Sequence, residues 1–246
     1  MSTEHRSLRK HVSGIQRTGG FSLAEVLLVM TIIAILVSML LPALAVVRGA
    51  AYSTKCASNL RQYQMANLSY ASDARGWFVP IYYTSSTPSG WTSPWYDNWD
   101  FIDRLYSDPA TRFAAAAGSS LVKGELCPLT VRRKGQVTSL VAYSYGINAQ
   151  FYASVPAAGG ESAHVVRNSM DGVSSKVAFA DGLDWSLTVG GASPASYWLA
   201  GVPDPEGYTA FKTTAYRHRQ RANVVYYDAH VAALTWQQLY VMAQWK

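Results

Sequence analysis

A handful of residues in this chain have the types and spacing to do chemistry. Glu25 is the only charged residue between Arg17 and Arg48, inside the stretch GFSLAEVLLVMTIIAILVSMLL at positions 20–41. A carboxylate in such an apolar run is unfavourable unless something partners it. Near the other end, Asp228 and His230 share one face of an expected strand, and His218 could reach them across a hairpin. These three could hold a metal ion, but a structural histidine–aspartate hydrogen bond is the simpler reading. Asp181 and Asp184 in ADGLDW could offer oxygens to Ca²⁺ or another divalent ion. Beside Trp185, two such acids more simply make a turn. No resident cofactor is therefore expected. Trp91, Trp95 and Trp99 recur every four residues among turn formers, either as a sugar-binding platform or as a loop that buries its own tryptophans. The second reading is preferred. GxSxG, Gly-rich phosphate-loop, CxxC and HExxH patterns are all absent from the sequence, so an enzyme is not expected.

The elements that must position these residues begin with the run Phe21–Val47. As a helix it would be about 40 Å long, more than a bilayer core requires. Composition agrees, because 49% hydrophobic with 15% charged residues is too apolar for disorder. Half of the formal +6 charge lies in the first 20 residues, on Arg6, Arg9, Lys10 and Arg17 against Glu4. The remainder is too small for a nucleic-acid surface, and the short basic clusters at 132–134 and 217–221 read as solvated loops. Basic residues ahead of the run predict a single span with residues 1–20 in the cytoplasm and the bulk outside. A cleaved secretory signal would also start this way, and Ala43-Leu44-Ala45 supplies a small-x-small site. The run is too long for that, and it contains an acid.

A basic leader, Gly20, the aromatic Phe21, Glu25 as fifth residue after the glycine and an unbroken apolar helix together resemble the class III signal of type IV pilins and type II secretion pseudopilins. The resemblance implies that a prepilin peptidase cuts between Gly20 and Phe21 and methylates the new amino terminus. It also implies that Glu25 neutralises the ammonium of a neighbouring subunit within a helix bundle. Further segments, YASDARGWFVP, Cys127-Pro128, YSYGIN, MDGVSSKVAFADG and RHRQRANVVYYDAHVAAL, resemble the prepilin-type processing-associated family, named for a histidine, nine residues and Asp-Gly. Here His218 and Asp228 carry the motif, but Ala229 stands where that family has glycine. A turn needing positive φ would cost the alanine about 1 kcal/mol, so either the turn is of another type or it is mildly strained.

Past the span, Tyr52, Cys56, Leu60, Tyr63, Asn67 and Tyr70 keep helical spacing to about Gly76, where Gly76 and Pro80 end the helix. Pro42 should kink or loosen it near the membrane exit. WFVPIYY, VTSLVAYSYGIN, SSKVAFADG and ANVVYYDAHVAAL read as strands. The expected layout is α+β: leader 1–20, transmembrane and amphipathic helix 21–76, and a head 77–246 whose antiparallel sheet packs on the helix. Cys56 and Cys127 then face an oxidising compartment, and a disulfide between them would staple head to helix. It would close a loop of about 70 residues, worth on the order of 4 kcal/mol. The resulting expectation is a bacterial inner-membrane pseudopilin or minor-pilin-like subunit, with a periplasmic or, after assembly, extracellular head. Its partners would be prepilin peptidase, other pilin or pseudopilin subunits and inner-membrane lipid. The alternative is a pilin-anchored periplasmic carbohydrate-binding or hydrolytic domain.

Overall fold

The structure is a computed structural model and describes residues 22–84, 92–106, 126–130, 144–150, 153–156, 162–165, 172–198, 212–241 and 245. The chain divides into two units, Met1–Val46 and Val47–Lys246. The first helix, α1 (Leu23–Asp73), contributes to both.

In the first unit, α1 starts at a reciprocal cap. The Ser22 N–H donates to Glu25 Oε2 at 2.8 Å, and the Glu25 N–H donates to Ser22 Oγ at 3.2 Å. Two donors that a helix start leaves unpaired are thereby satisfied. From there to Val46 the residues are exposed, including Leu27, Ile33, Leu36, Leu40 and Leu44. The hydroxyls of Thr31 and Ser38 fold back onto the Leu28 and Ile35 carbonyls, each at 2.7 Å, so the polar side chains in the run are satisfied within the helix. The helix runs through Pro42 without ending, and it is long and apolar enough to cross a membrane.

In the second unit, α1 buries one stripe: Cys56, Asn59, Leu60, Tyr63, Gln64, Ala66, Asn67 and Ala71. It ends as Arg75 takes a left-handed φ of 55° and the Gly76 N–H donates to the Ala71 carbonyl at 2.8 Å. The stripe packs on a five-stranded sheet of order β7-β3-β6-β8-β9. Its strands are β3 (Tyr145–Asn148), β6 (Val177–Asp181), β7 (Ser186–Leu187), β8 (Ala222–Tyr226) and β9 (Val231–Leu234). All pairings are antiparallel except β3 with β7. β6 is buried along its whole length, as a strand flanked on both edges beneath a helix should be. Tyr63 centres the contact, with ring centroids 5.4–6.4 Å from those of Trp95, Phe101, Tyr145 and Phe179. Buried amides pin the helix: Gln64 Nε2 donates to the Tyr227 carbonyl at 2.8 Å, and Asn67 Oδ1 accepts from the Val79 N–H at 2.8 Å.

The α+β layout agrees with the sequence reading, but the sheet is mixed and a second one is present. Strands β1 (Tyr82–Thr84), β2 (Thr92–Pro94), β4 (Ala153–Pro156) and β5 (Ser162–Val165) form an antiparallel sheet of order β2-β1-β5-β4. β2 lies inside the tryptophan-rich stretch, and ASVP and SAHV alternate apolar and polar residues over only four positions each, too few to mark a strand by pattern. Their strand character comes from pairing. WFVPIYY is strand only in its last part, although Phe78, Val79 and Ile81 are buried.

Candidate functional site

Cys56, Cys127, Asp181 and His218 are all buried, and one ligand atom from each lies within 4.8 Å of those of the other three. Four stretches meet here. Cys56 comes from α1, and Cys127 begins the turn before residues 128–130. Asp181 closes β6. His218 precedes β8 in a turn whose ends exchange backbone bonds, His218 N–H to the Arg221 carbonyl at 3.2 Å and back at 3.1 Å. Both central residues of that turn, Arg219 and Gln220, have positive φ, 54° and 61°. A primed turn of this kind favours glycine or asparagine, so two long side chains here store local strain.

His218 Nε2 is 3.8 Å from Cys127 Sγ and 3.5 Å from an Asp181 carboxylate oxygen, Oδ2. That oxygen also accepts the Asn223 N–H at 2.7 Å. The other oxygen, Oδ1, has no hydrogen-bond partner, and neither has His218 Nδ1. Around the set, the Cys127 N–H donates to Ser144 Oγ at 3.3 Å. Asn59 Nδ2 bridges the Leu126 carbonyl and the Tyr145 hydroxyl. Arg217 donates to the Ser144 and Gly182 carbonyls at 3.1 and 2.8 Å.

The electrostatics divide the two sulfurs. A hydrogen bond to Cys127, then burial, pushes the Cys56 thiol far up. Burial opposes ionisation of Cys127 too, but the Cys56 hydrogen bond, the Arg217 charge and His218 outweigh it and hold that thiol well below its usual range. Burial raises the Asp181 carboxyl to about 7 against the opposing pull of His218. Burial disfavours the His218 imidazolium, yet Asp181 and Cys127 leave its pKa raised. Such a group of close donors, partly anionic and shut off from water, can hold a proton between them or share a cation.

The expected disulfide partners are thus neighbours, but both are free thiols, and they sit in a larger set than a two-residue staple. The expected grouping of His218 with Asp228 and His230 does not form. Asp228 and His230 are exposed in the β8–β9 turn, paired at 2.5 Å, with the imidazole stacked 4.0 Å from the Tyr226 ring. Asp181 and Asp184 also part. Asp184 is half-buried and accepts the Lys212 and Trp185 N–H groups at 2.7 and 2.8 Å, which agrees with the turn reading. The RHRQR cluster is not wholly solvated either: His218 is buried and Arg217 is spent on carbonyls, while Arg219 to Arg221 are exposed. Arg217 was read only as part of the basic cluster at 217–221, and Ser144 and Asn223 were not singled out; nothing local marks their roles, since partners far away in the chain define them.

Trp95 is fully buried and donates to the Trp185 carbonyl at 2.7 Å, so it is core and not a surface platform. Trp99 is 56% exposed, and Trp91 lies outside the described residues. Gly20 and Phe21 also lie outside them. Glu25 is exposed in the first turn of α1, engaged with Ser22. Ser22-x-x-Glu25 ahead of an apolar run was the signal for that cap.

Residues 15–41 match the family model described as the prokaryotic N-terminal methylation motif. The chain therefore carries a type IV pilin- or pseudopilin-like prepilin signal. No curated protein and no solved structure matches the chain.

Proposed function

We propose that this protein is a membrane-anchored structural subunit, cut after Gly20 to leave an N-methylated Phe21. It assembles through its apolar helix into a type II secretion pseudopilus or a type IV pilus-like filament. The observation that supports this most is the surface of α1 before Val47: exposed, apolar and internally satisfied, with its single charge in the first turn. In lipid that surface anchors the chain, and in an assembly neighbouring helices cover it. Residues 1–20 would lie in the cytoplasm and residues 47–246 outside the inner membrane. The reading assigns no catalysis to the second unit. Cleavage at Gly20 would place an ammonium one turn from Glu25, where low dielectric makes the pairing matter. Prepilin peptidase and other pilin-like subunits are the partners it requires.

The test is the N-terminal mass of the mature protein. A chain starting at methylated Phe21 is expected, and Gly20→Ala should leave a full-length, membrane-inserted precursor, because the apolar run is untouched. A mature N-terminus at Val46 would overturn the reading, since the helix would have been discarded as a signal peptide.

A further inference from the structure

We propose that Cys56, Cys127, Asp181 and His218 form a four-coordinate site for a divalent cation of the zinc class. The inference is independent of how the apolar helix is used.

Geometry comes first. Zinc bonds of about 2.3 Å to sulfur and about 2.0–2.2 Å to nitrogen or oxygen place tetrahedral ligands about 3.3–3.8 Å apart. His218 Nε2 already stands 3.8 Å from Cys127 Sγ and 3.5 Å from Asp181 Oδ2, and no pair in the set exceeds 4.8 Å. Small side-chain adjustments close the remainder.

Donor chemistry selects the ion. Two sulfurs and an imidazole suit zinc and its soft or borderline neighbours, whereas Ca²⁺ wants six or more oxygens and the set offers one carboxylate. Charge balances as well. Binding releases to solvent whatever protons the two sulfurs and His218 Nε2 still carry as the metal bonds form, so two thiolates, a neutral imidazole and a carboxylate meet a dication. The Arg217 guanidinium, held on the Ser144 and Gly182 carbonyls, offsets the negative charge left over.

Without an ion, the same arrangement is poorly satisfied. Asp181 Oδ1 is buried with no hydrogen-bond partner, and the carboxylate's other oxygen has the Asn223 N–H as its one backbone donor; a buried carboxylate so placed is unfavourable. A metal at Oδ2, the oxygen that faces His218 Nε2, supplies the carboxylate with a counter-charge, and the Asn223 N–H on that same oxygen still orients it. A Cys56–Cys127 disulfide would leave the carboxylate and imidazole as they are. The bound ion would tie α1 to β6 and to the turn before β8, fastening the helix stripe to the sheet.

The full chain, purified in detergent and stripped by a chelator, should take up one equivalent of Zn²⁺. Co²⁺ in its place should show thiolate-to-metal charge transfer and tetrahedral d–d bands. Chelation should lower the melting temperature, and Zn²⁺ should restore it. Asp181→Asn and Cys127→Ser should each weaken the metal by more than about tenfold, and Asp228→Asn should not. If either cluster variant fails to fold, the wild-type spectrum and chelator response decide alone. Any one of three results would overturn the site: no metal retained with a melting temperature indifferent to chelator, Co²⁺ bound without the thiolate band, or peptide mapping that finds Cys56 and Cys127 joined.

Discussion

Under the proposed function Glu25 would have a second role beside its cap, and a single substitution confounds the two. Its carboxylate closes the cap with Ser22, and its charge would meet the ammonium that the proposed cleavage leaves at Phe21. Glutamine fits the same capping geometry without the charge, so Glu25→Gln separates them, while Glu25→Ala removes both. Both variants are expected to be processed normally and to be depleted from the sheared filament or pseudopilus fraction. Normal incorporation of the glutamine variant alongside failure of the alanine variant would assign the effect to the cap. Ala229 is the second residue with a definite cost. It sits at φ 71° in the turn after Asp228, its N–H bonded to the Tyr226 carbonyl. The turn is thus of the left-handed type and mildly strained. Ala229→Gly should change stability by less than about 0.5 kcal/mol in urea unfolding, because the relief of the left-handed conformation, about 1 kcal/mol, is largely offset by the loss of one buried methyl, about 0.8 kcal/mol.

At the scale of elements, the tryptophan-rich stretch shows how far pattern reaches. Even spacing of Trp91, Trp95 and Trp99 favours a loop that buries its tryptophans over a platform, but periodicity does not say which of them is wet. Packing answers for two of them. Trp95→Ala should cost about 3–5 kcal/mol, since it empties a space between Tyr63, Phe101 and Phe179 and removes one of the two donors on the Trp185 carbonyl, which keeps the Ile147 N–H. Trp99→Ala should cost less than about 1 kcal/mol, because the ring is largely in water. Equal losses in paired denaturation curves would refute this division. The stripe of α1 was legible at Cys56, Leu60, Tyr63 and Asn67, because helical spacing survives in sequence. The buried Asn59 and Gln64 were not, because their burial depends on the Leu126 and Tyr227 carbonyls that receive them. Likewise, β8 and β9 announce themselves through branched and aromatic residues, whereas β4 and β5 exist through pairing.

At the scale of the molecule, no residue between Leu23 and Val46 is buried, and every core residue among those described belongs to the unit from Val47 onward. A chain beginning at Val47 should therefore unfold within a few degrees of the full-length protein and partition away from membranes. A loss of cooperative unfolding would show that the apolar segment contributes to the fold. The prepilin signal, the span and the long helix were determined by the sequence alone, because charge, apolar run length, glycine and capping pattern act over neighbouring residues and need no fold to be effective. The joining of Cys56, Cys127, Asp181 and His218 was decided only by the tertiary structure. His218 and Asp228 invited a pairing through their spacing, but the turn after Arg217 swings the histidine inward, and the β8–β9 turn leaves the aspartate outside. Donor sets of this kind form where a helix face, a strand end and two turns converge, and that convergence follows from burying the α1 stripe on the sheet, a global balance of packing that no local pattern encodes.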